Sequence, residues 1–377
     1  ATSSHFAATE ICLNGDCETA WPVSGSGGGQ SFQATSTNKT GDALVGLAPW
    51  ITSTTTASWY APQDLYVDGN VTTTKNFTLP VTTHAAEYGI IYKGTSLFIS
   101  DFNYGNNGTV TTDGFNTFVG VSAGNLTTGS TATQVYHSSY NTAVGNLAFN
   151  ANTTGFYNTA IGYKALNANT IGAYNAAVGH SALALNTEGN YNMGTGYGAL
   201  GINTTGSNNM ANGAYALAAN ISGSNNVANG YKALFTTTGS GNVANGTQAM
   251  EKNSSGGSNT ATGWQALYAN TTASFNTAMG AFALNKNTLG ADNTATGYYS
   301  LFNLAGTAAA TSDNTALGYN AGRYQSDGAT ALTTAKQSIY IGSGARGLNN
   351  SDANSIVIGY GTIGIGANTV VLGNSSI

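Results

Sequence analysis

The chain has 377 residues, and only 7% of them are charged, with 10 Lys plus Arg against 15 Asp plus Glu. Ordinary domains carry roughly 25% charged residues, so Gly, Asn, Thr, Ser and Ala keep this one in solution through neutral polar groups. A net charge of −5 with scattered basic residues builds no patch for nucleic acid or an anionic membrane surface, and no apolar run reaches the roughly 18 residues that membrane insertion as a helix requires.

Residues 1–30 read as an N-terminal hairpin followed by a Gly/Ser linker, Ser24 to Gly29. No secretory leader is visible at the opening residues. Asn14-Gly15 is a strong type I′ hairpin signal. With Leu13 and Asp16 closing the turn, Cys12 falls opposite Cys17 in a non-hydrogen-bonded pair, where Cα atoms lie roughly 4.5 Å apart, within disulfide reach. A Cys12–Cys17 disulfide is therefore expected, and it implies an oxidising compartment. Two thiols without further ligands fall short of a metal site, so no metal and no cofactor is expected.

Residues 31–113 read as a small β region or cap. Apolar runs at Ala57–Tyr60, Leu65–Val67, Gly89–Tyr92 and Ser96–Ile99 are punctuated by Asp68-Gly69, Lys93-Gly94 and Asn106-Asn107-Gly108. Solenoids need such caps to cover the end of the stack.

Residues 114–318 are an array of repeats. The phrase Asn-Thr-Ala-(Val/Ile)-Gly closes on Gly145, Gly162, Gly179, Gly196, Gly213, Gly230, Gly246, Gly263, Gly280 and Gly297, at a spacing of 17 with one step of 16 between Gly230 and Gly246. A short fixed period signals a solenoid, and this one is too short for a pair of helices, which needs roughly 33–47 residues. A disordered polar tract would not hold its apolar positions in phase. Each coil is expected to be two short strands and two turns. The Asn-Thr-Ala-Val-Gly strand has a small third position, and its second and fourth positions share one face. The corner Gly permits a bend no Cβ allows. Ala-Leu pairs such as Ala165-Leu166 supply a second buried patch. Asn-Thr-Thr-Gly (Asn152 to Gly155, Asn203 to Gly206) reads as turn chemistry, with Asn tolerating αL and Gly taking φ > 0. Such a coil is expected to be too thin to enclose much core of its own.

The first repeat closes at Gly120 and carries an insertion around Thr131 to Ser139. Residues 319–377 hold C-terminal repeats with insertions and shorter coils, and the closing glycines after Gly297 are Gly318, Gly342, Gly359 and Gly373. About fifteen coils result, a rod of ~70 Å at the sheet spacing.

Two columns stand out. The fourth strand position is Thr195, Asn212, Asn229, Asn245 and Thr262 in the central coils, where flanking coils have Val, Ile, Met or Leu. It reads either as a structural amide ladder or as a polar axial channel holding water or an anion. Tyr163, Tyr197, Tyr231, Trp264 and Tyr298 follow the corner Gly, as does Tyr319. They read as a packing ladder or as a platform for the faces of sugar rings.

The motifs Asn-Thr-Ala-Ile-Gly-Tyr and Ser-Ile-Val-Ile-Gly resemble the head repeats of YadA-type trimeric autotransporter adhesins, whose phrase is Ser-Val-Ala-Ile-Gly on a shorter period. Similar repeats occur in phage tail fibres and bacterial surface fibres that carry an endosialidase-type intramolecular chaperone. The tail Asn368 to Ile377 and the lead-in Phe102 to Gly114 look like the flanks of such arrays, so the resemblance covers roughly residues 100–377. It implies an all-β, left-handed parallel β-roll in which three chains lie side by side, second and fourth strand positions facing the threefold axis. The longer period suggests a wider outer loop at Asn-Thr-Thr-Gly. No coiled-coil stalk, membrane-anchor barrel or chaperone domain is read here.

Catalytic motifs are weak. Gly120-Val121-Ser122-Ala123-Gly124 matches an esterase elbow, but repeat register explains it. Gly342 to Gly347 and Gly196 to Gly201 match Gly-x-Gly-x-x-Gly without a βαβ context. His5, His84, His137 and His180 make no metal spacing, and the Asn-x-Thr sequons are generated by the repeat itself. The expectation is a structural and adhesive trimeric fibre segment, extracellular, on a cell surface or a virion, and not an enzyme. Its partners would be its own copies and a surface glycan or host receptor. The alternatives are a subunit of a head-to-tail filament and a phage receptor-binding fibre.

Overall fold

The computed structural model describes residues 11–13, 16–18, 91–93, 96–100, 105–125 and 129–374. The chain divides into two compact units, Ala1–Thr78 and Leu79–Ile377. In the first, β1 (Ile11–Leu13) and β2 (Asp16–Glu18) form an antiparallel hairpin with Leu13 opposite Asp16 and Cys12 opposite Cys17. This is the register expected of a turn at Asn14-Gly15. The cysteine side chains, the Gly/Ser linker and the runs at 57–60 and 65–67 lie outside the described residues.

The second unit is a β-solenoid. β3 (Ile91–Lys93) and β4 (Ser96–Ser100) form an antiparallel pair, and β4 lies antiparallel on β5 (Thr117–Val119). From β5 to β19 (Val370–Leu372) fifteen three-residue strands follow, one per coil, each parallel to the next and in register. Within the array Thr142 pairs with Thr159, Ala143 with Ala160 and Val144 with Ile161. About fourteen turns with a period near 17 result, as the glycine spacing predicts.

Each coil contains one strand, not two. The Ala-Leu segment follows the corner, and there Lys164 and Leu166 take φ of 55° and 48°, with closely similar values recurring at Ser181 and Leu183 and at Gln265 and Leu267. Left-handed residues at every second position destroy the pleat. The segment still bonds from coil to coil, with the Leu166 N–H donating to Ala182 O at 3.0 Å and the Leu183 N–H to Ala199 O at 2.9 Å. A left-handed Leu is strained by roughly 1–3 kcal/mol. Burial of the Leu side chain stabilises by about 1.5–3 kcal/mol, and this turn is what points it inward.

As a thin coil allows, each regular coil closes on a small core of its own. Ala143, Ala160 and Ala177 at the third strand position are fully buried, as are Leu166, Leu183 and Leu200 facing them. Next to two of the widened coils the third position becomes Phe118 or Tyr340, both buried. Room for these rings comes from Gly124 and Gly322, which stand in the slot that Leu166 fills elsewhere: a Cβ there would lie 2.2 Å from the Phe118 ring and 2.9 Å from the Tyr340 ring, respectively.

The ten corner glycines have φ between 124° and 143°. They stack on one another so closely that a Cβ on Gly162 would stand 2.5 Å from the Gly179 carbonyl oxygen. Both the dihedral and the contact exclude any other residue. Gly194 differs: it occupies the third strand position, where other coils have Ala, and a Cβ would meet nothing nearer than Ala199 O at 3.1 Å. Thermal or denaturant unfolding of Gly162→Ala is expected to show a loss of at least about 2 kcal/mol. Gly194→Ala should stay within about 1 kcal/mol of the parent, because the neighbouring coils already hold that methyl group.

Candidate functional site

Among the described residues of the array, no cluster of metal-ligating side chains stands apart from the repeat. What the repeat builds is a set of columns running along the solenoid, some inside and some outside.

Two columns are internal and consist of asparagine. The first is the residue that opens each strand, Asn141, Asn158, Asn175, Asn192 and onward to Asn314, all almost completely buried. The backbone N–H of Asn158 donates to Asn141 Oδ1 at 3.0 Å, and that of Asn175 to Asn158 Oδ1 at 3.0 Å. The Nδ2 of Asn158 donates to Gly172 O at 2.9 Å and so ties the strand to the far side of its own coil. Ser338 takes over at the C-terminal end, its N–H donating to Asn314 Oδ1.

The second column is the Asn of Asn-Thr-Thr-Gly. Asn186 Nδ2 donates to Asn169 Oδ1 at 2.9 Å and to Gly189 O at 3.0 Å, and Asn203 repeats this on Asn186 and Gly206 at 2.7 and 2.9 Å. This corrects the turn reading. Neither Asn152 nor Asn203 is left-handed, and Gly155 and Gly206 do not have positive φ. Glycine is required there for space: a Cβ on Gly155 would lie 2.5 Å from both Asn152 Oδ1 and Gly172 O. The sequons at Asn203, Asn220 and Asn270 are accordingly closed, since each Asn is buried with its amide nitrogen committed.

The outward strand face carries the second and fourth positions. Ile161, Val178, Met193, Met210, Met279 and Leu317 are 40–50% exposed, an apolar stripe without cover in a single chain. In the centre the stripe becomes polar, with Thr195, Asn212, Asn229, Asn245 and Thr262 in lateral register. Here the amide ladder has one link, Asn229 Nδ2 donating to Asn245 Oδ1 at 2.7 Å. The unbroken asparagine file is the strand-opening one inside the coil, away from the column to which the sequence pattern draws attention.

The tyrosines after the corner are half exposed but form a broken column. Tyr163 meets His180 at 4.9 Å with the rings tilted by 42°, His180 stacks on Tyr197 at 4.9 Å, and Tyr298 stacks on Tyr319 at 5.8 Å. Between them Tyr231 has an edge contact with Tyr215, and Trp264 leans on Phe282. A continuous column lies elsewhere, one residue before the strand-opening Asn: Phe115, Tyr140, Tyr157, Tyr174 and Tyr191. Successive ring centroids are 5.5, 4.7, 5.2 and 4.8 Å apart with planes within 22° of parallel. All five have φ of 53–60°. Its signal in the sequence is an aromatic recurring once per repeat, but it stops after five coils. Tyr140 donates its hydroxyl to Asp113 Oδ2 at 3.1 Å, and burial among the rings, followed by this bond, raises its phenol above the usual range.

The catalytic motifs dissolve into the repeat. Ser122 has φ of 56°, but Leu147 and Lys164 at the same place have 57° and 55°, so the conformation belongs to the corner. Among the described residues no group of three or more His, Cys, Asp or Glu is placed to hold a metal, and no helix is long and apolar enough to cross a membrane.

Two measurements probe the interior. Asn186→Ala strips donors from Asn169 Oδ1 and Gly189 O, and should lower unfolding free energy by about 3 kcal/mol, against less than about 1 kcal/mol for the outward Asn245→Ala. Tyr340 is fully buried, and burial pushes its phenol up to about 12. Between pH 10.0 and about 12 the unfolded chain has released this proton while the folded one keeps it, so stability falls as pH rises through that window. In Tyr340→Phe, alkaline denaturation curves should lose that part of the fall, with little change at neutral pH.

Neither a family model, nor a curated protein, nor a solved structure matches this chain.

Proposed function

We propose that this chain is a structural and adhesive segment of an extracellular fibre, on a cell surface or a virion, and performs no catalysis. Three copies would lie side by side as left-handed parallel β-rolls, in the manner of YadA-type head repeats, with their strand faces turned to a common axis. The observation that carries this is the uncovered apolar stripe of the second and fourth strand positions. Contiguous apolar surface of that length on a stiff scaffold marks an interaction site, and a repeated strand face is matched best by copies of itself. The polar centre at Asn212, Asn229 and Asn245 would fix the vertical register of the copies, as a buried polar residue does in coiled coils. The Cys12–Cys17 pair, opposite each other in the hairpin, accords with an oxidising exterior.

Light scattering on the whole chain should give a trimer mass. Met193→Lys together with Met279→Lys on the strand face should reduce it to a monomer with the fold retained by circular dichroism. The outward Tyr231→Asn should leave it unchanged. A monomeric parent overturns the reading, and long regular fibres in negative stain favour the head-to-tail filament.

A further inference from the structure

Aromatic clusters occur at both ends of the array, where insertions break the period, and insertions in repeat proteins collect on the binding side. The C-terminal cluster is covered by cations: the Arg323 guanidinium lies 3.8 Å from the Tyr299 ring centroid and Lys286 Nζ 5.0 Å from that of Phe302. The five-ring ladder from Phe115 to Tyr191 makes no such contact among the described residues. Beside it the insertion contributes Tyr136, packed on Phe156 at 4.7 Å, and Phe156 stands edge-on to Tyr157 and Tyr174.

The inner rings of the ladder lie face to face with a neighbour on either side, so their faces are taken. What reaches solvent is a row of ring edges and phenol hydroxyls, one per coil. Phe115, Tyr157, Tyr174 and Tyr191 are 74%, 43%, 43% and 58% exposed. Ring edges are electropositive, and each phenol both donates and accepts. The rings are also held in place. The Tyr157, Tyr174 and Tyr191 N–H groups donate to Ser139 O, Phe156 O and Ala173 O at 3.1, 3.1 and 3.0 Å. A ligand therefore meets a preorganised row and little ordering opposes binding.

The matching ligand is extended, uncharged and rich in hydroxyl oxygens, with C–H groups between them at the coil spacing. Nucleic acid would find no counter-charge here, and an apolar protein surface would leave the hydroxyls unpaired. We propose that the ladder Phe115, Tyr140, Tyr157, Tyr174 and Tyr191 binds an extended neutral β-linked polysaccharide laid along the solenoid axis, one sugar residue per coil. This deepens the adhesive reading above by naming the ligand class. It also places the site on this ladder, away from the interrupted Tyr163 column.

The repeat supplies a foldable variant. Asn208 and Asn225 occupy the ladder position in the next two coils with φ of 59° and 60°, so Tyr157→Asn with Tyr174→Asn keeps the backbone. The full chain is run through gels containing hydroxyethyl cellulose, soluble xylan or galactomannan, with alginate as the charged control, and is titrated with oligomers of two to six sugars. The expected result is retardation by at least one neutral polymer and affinity that rises with oligomer length to about five sugars. Binding should fall at least tenfold in the double variant and stay unchanged in Tyr231→Asn. Absence of retardation by every neutral polymer, equal retention of the double variant, or preference for alginate overturns the proposal. So does a lower assembly mass in the double variant, which would make the ladder a contact between copies. Solution mass separates this from the fibre reading: a trimer that binds no neutral glycan sinks the ladder site alone, and a glycan-binding monomer sinks the trimer alone.

Discussion

From Asn116 to Asn314 the array depends on one interaction, the buried asparagine amide bonded both along the stack and across its own coil. So short a coil encloses little more than an Ala and a Leu, and so small an apolar filling cannot hold a closed loop against its conformational entropy. The side-chain amide supplies what is missing. Its oxygen accepts a backbone N–H from the neighbouring coil, and its nitrogen reaches the carbonyl on the opposite side of its own. A buried amide is costly when incomplete and specific when complete. The repeat therefore tolerates Val, Met, Thr or Asn on its outer face but keeps Asn at the strand entry from Asn116 to Asn314.

Much of this is readable from the residues, for a physical reason. Glycine has no substitute at φ near 130°, so the corner appears in the sequence as a mark that recurs once in every coil without a gap. Strand pairing then follows without register ambiguity. The alternation of buried Ala with outward Thr and Val also follows from the pleat. The left-handed residues are not readable. Leu166, Tyr157 and Lys164 are poor αL formers by propensity, and they adopt it only because the stacked coils and the buried Leu demand it. For the same reason the Ala-Leu segment reads as a strand and is not one. Asn152 misleads in another way: Asn before Thr-Thr-Gly has the composition of an exposed turn, while its counterparts in the next coils turn it into a buried file. The continuous aromatic column escapes notice because five coils are a short run, and because its members sit at a position where a β-carbon is strained.

The outer surface is divided along its length. Both ends carry enlarged coils, with Phe118 or Tyr340 filling the wider interior, and both carry aromatic clusters, the first of them joined by the inserted Tyr136. The middle is narrow, regular and polar on its strand face. A rigid interior with variable columns outside lets one scaffold present different chemistry coil by coil, since a change at an outward position leaves the amide files untouched.

The coil between Gly230 and Gly246 is one residue short where the inner Asn belongs, and Thr237 stands in its place. The Thr237 hydroxyl accepts from Asn253 at 3.2 Å, but Asn220 Oδ1 on the other side is left buried without a donor. One of the two amide files is therefore cut there while the other runs on, with the Asn242 N–H still reaching Asn226 Oδ1 at 2.9 Å. The same file is cut again past Asn270, whose Oδ1 is likewise buried without a donor, and in a structure whose stability is a sum of nearest-neighbour terms such points are the weak planes of the column. Under tension or heat the array has built-in fracture lines, and the block on one side would give way as a unit before the block on the other side is disturbed.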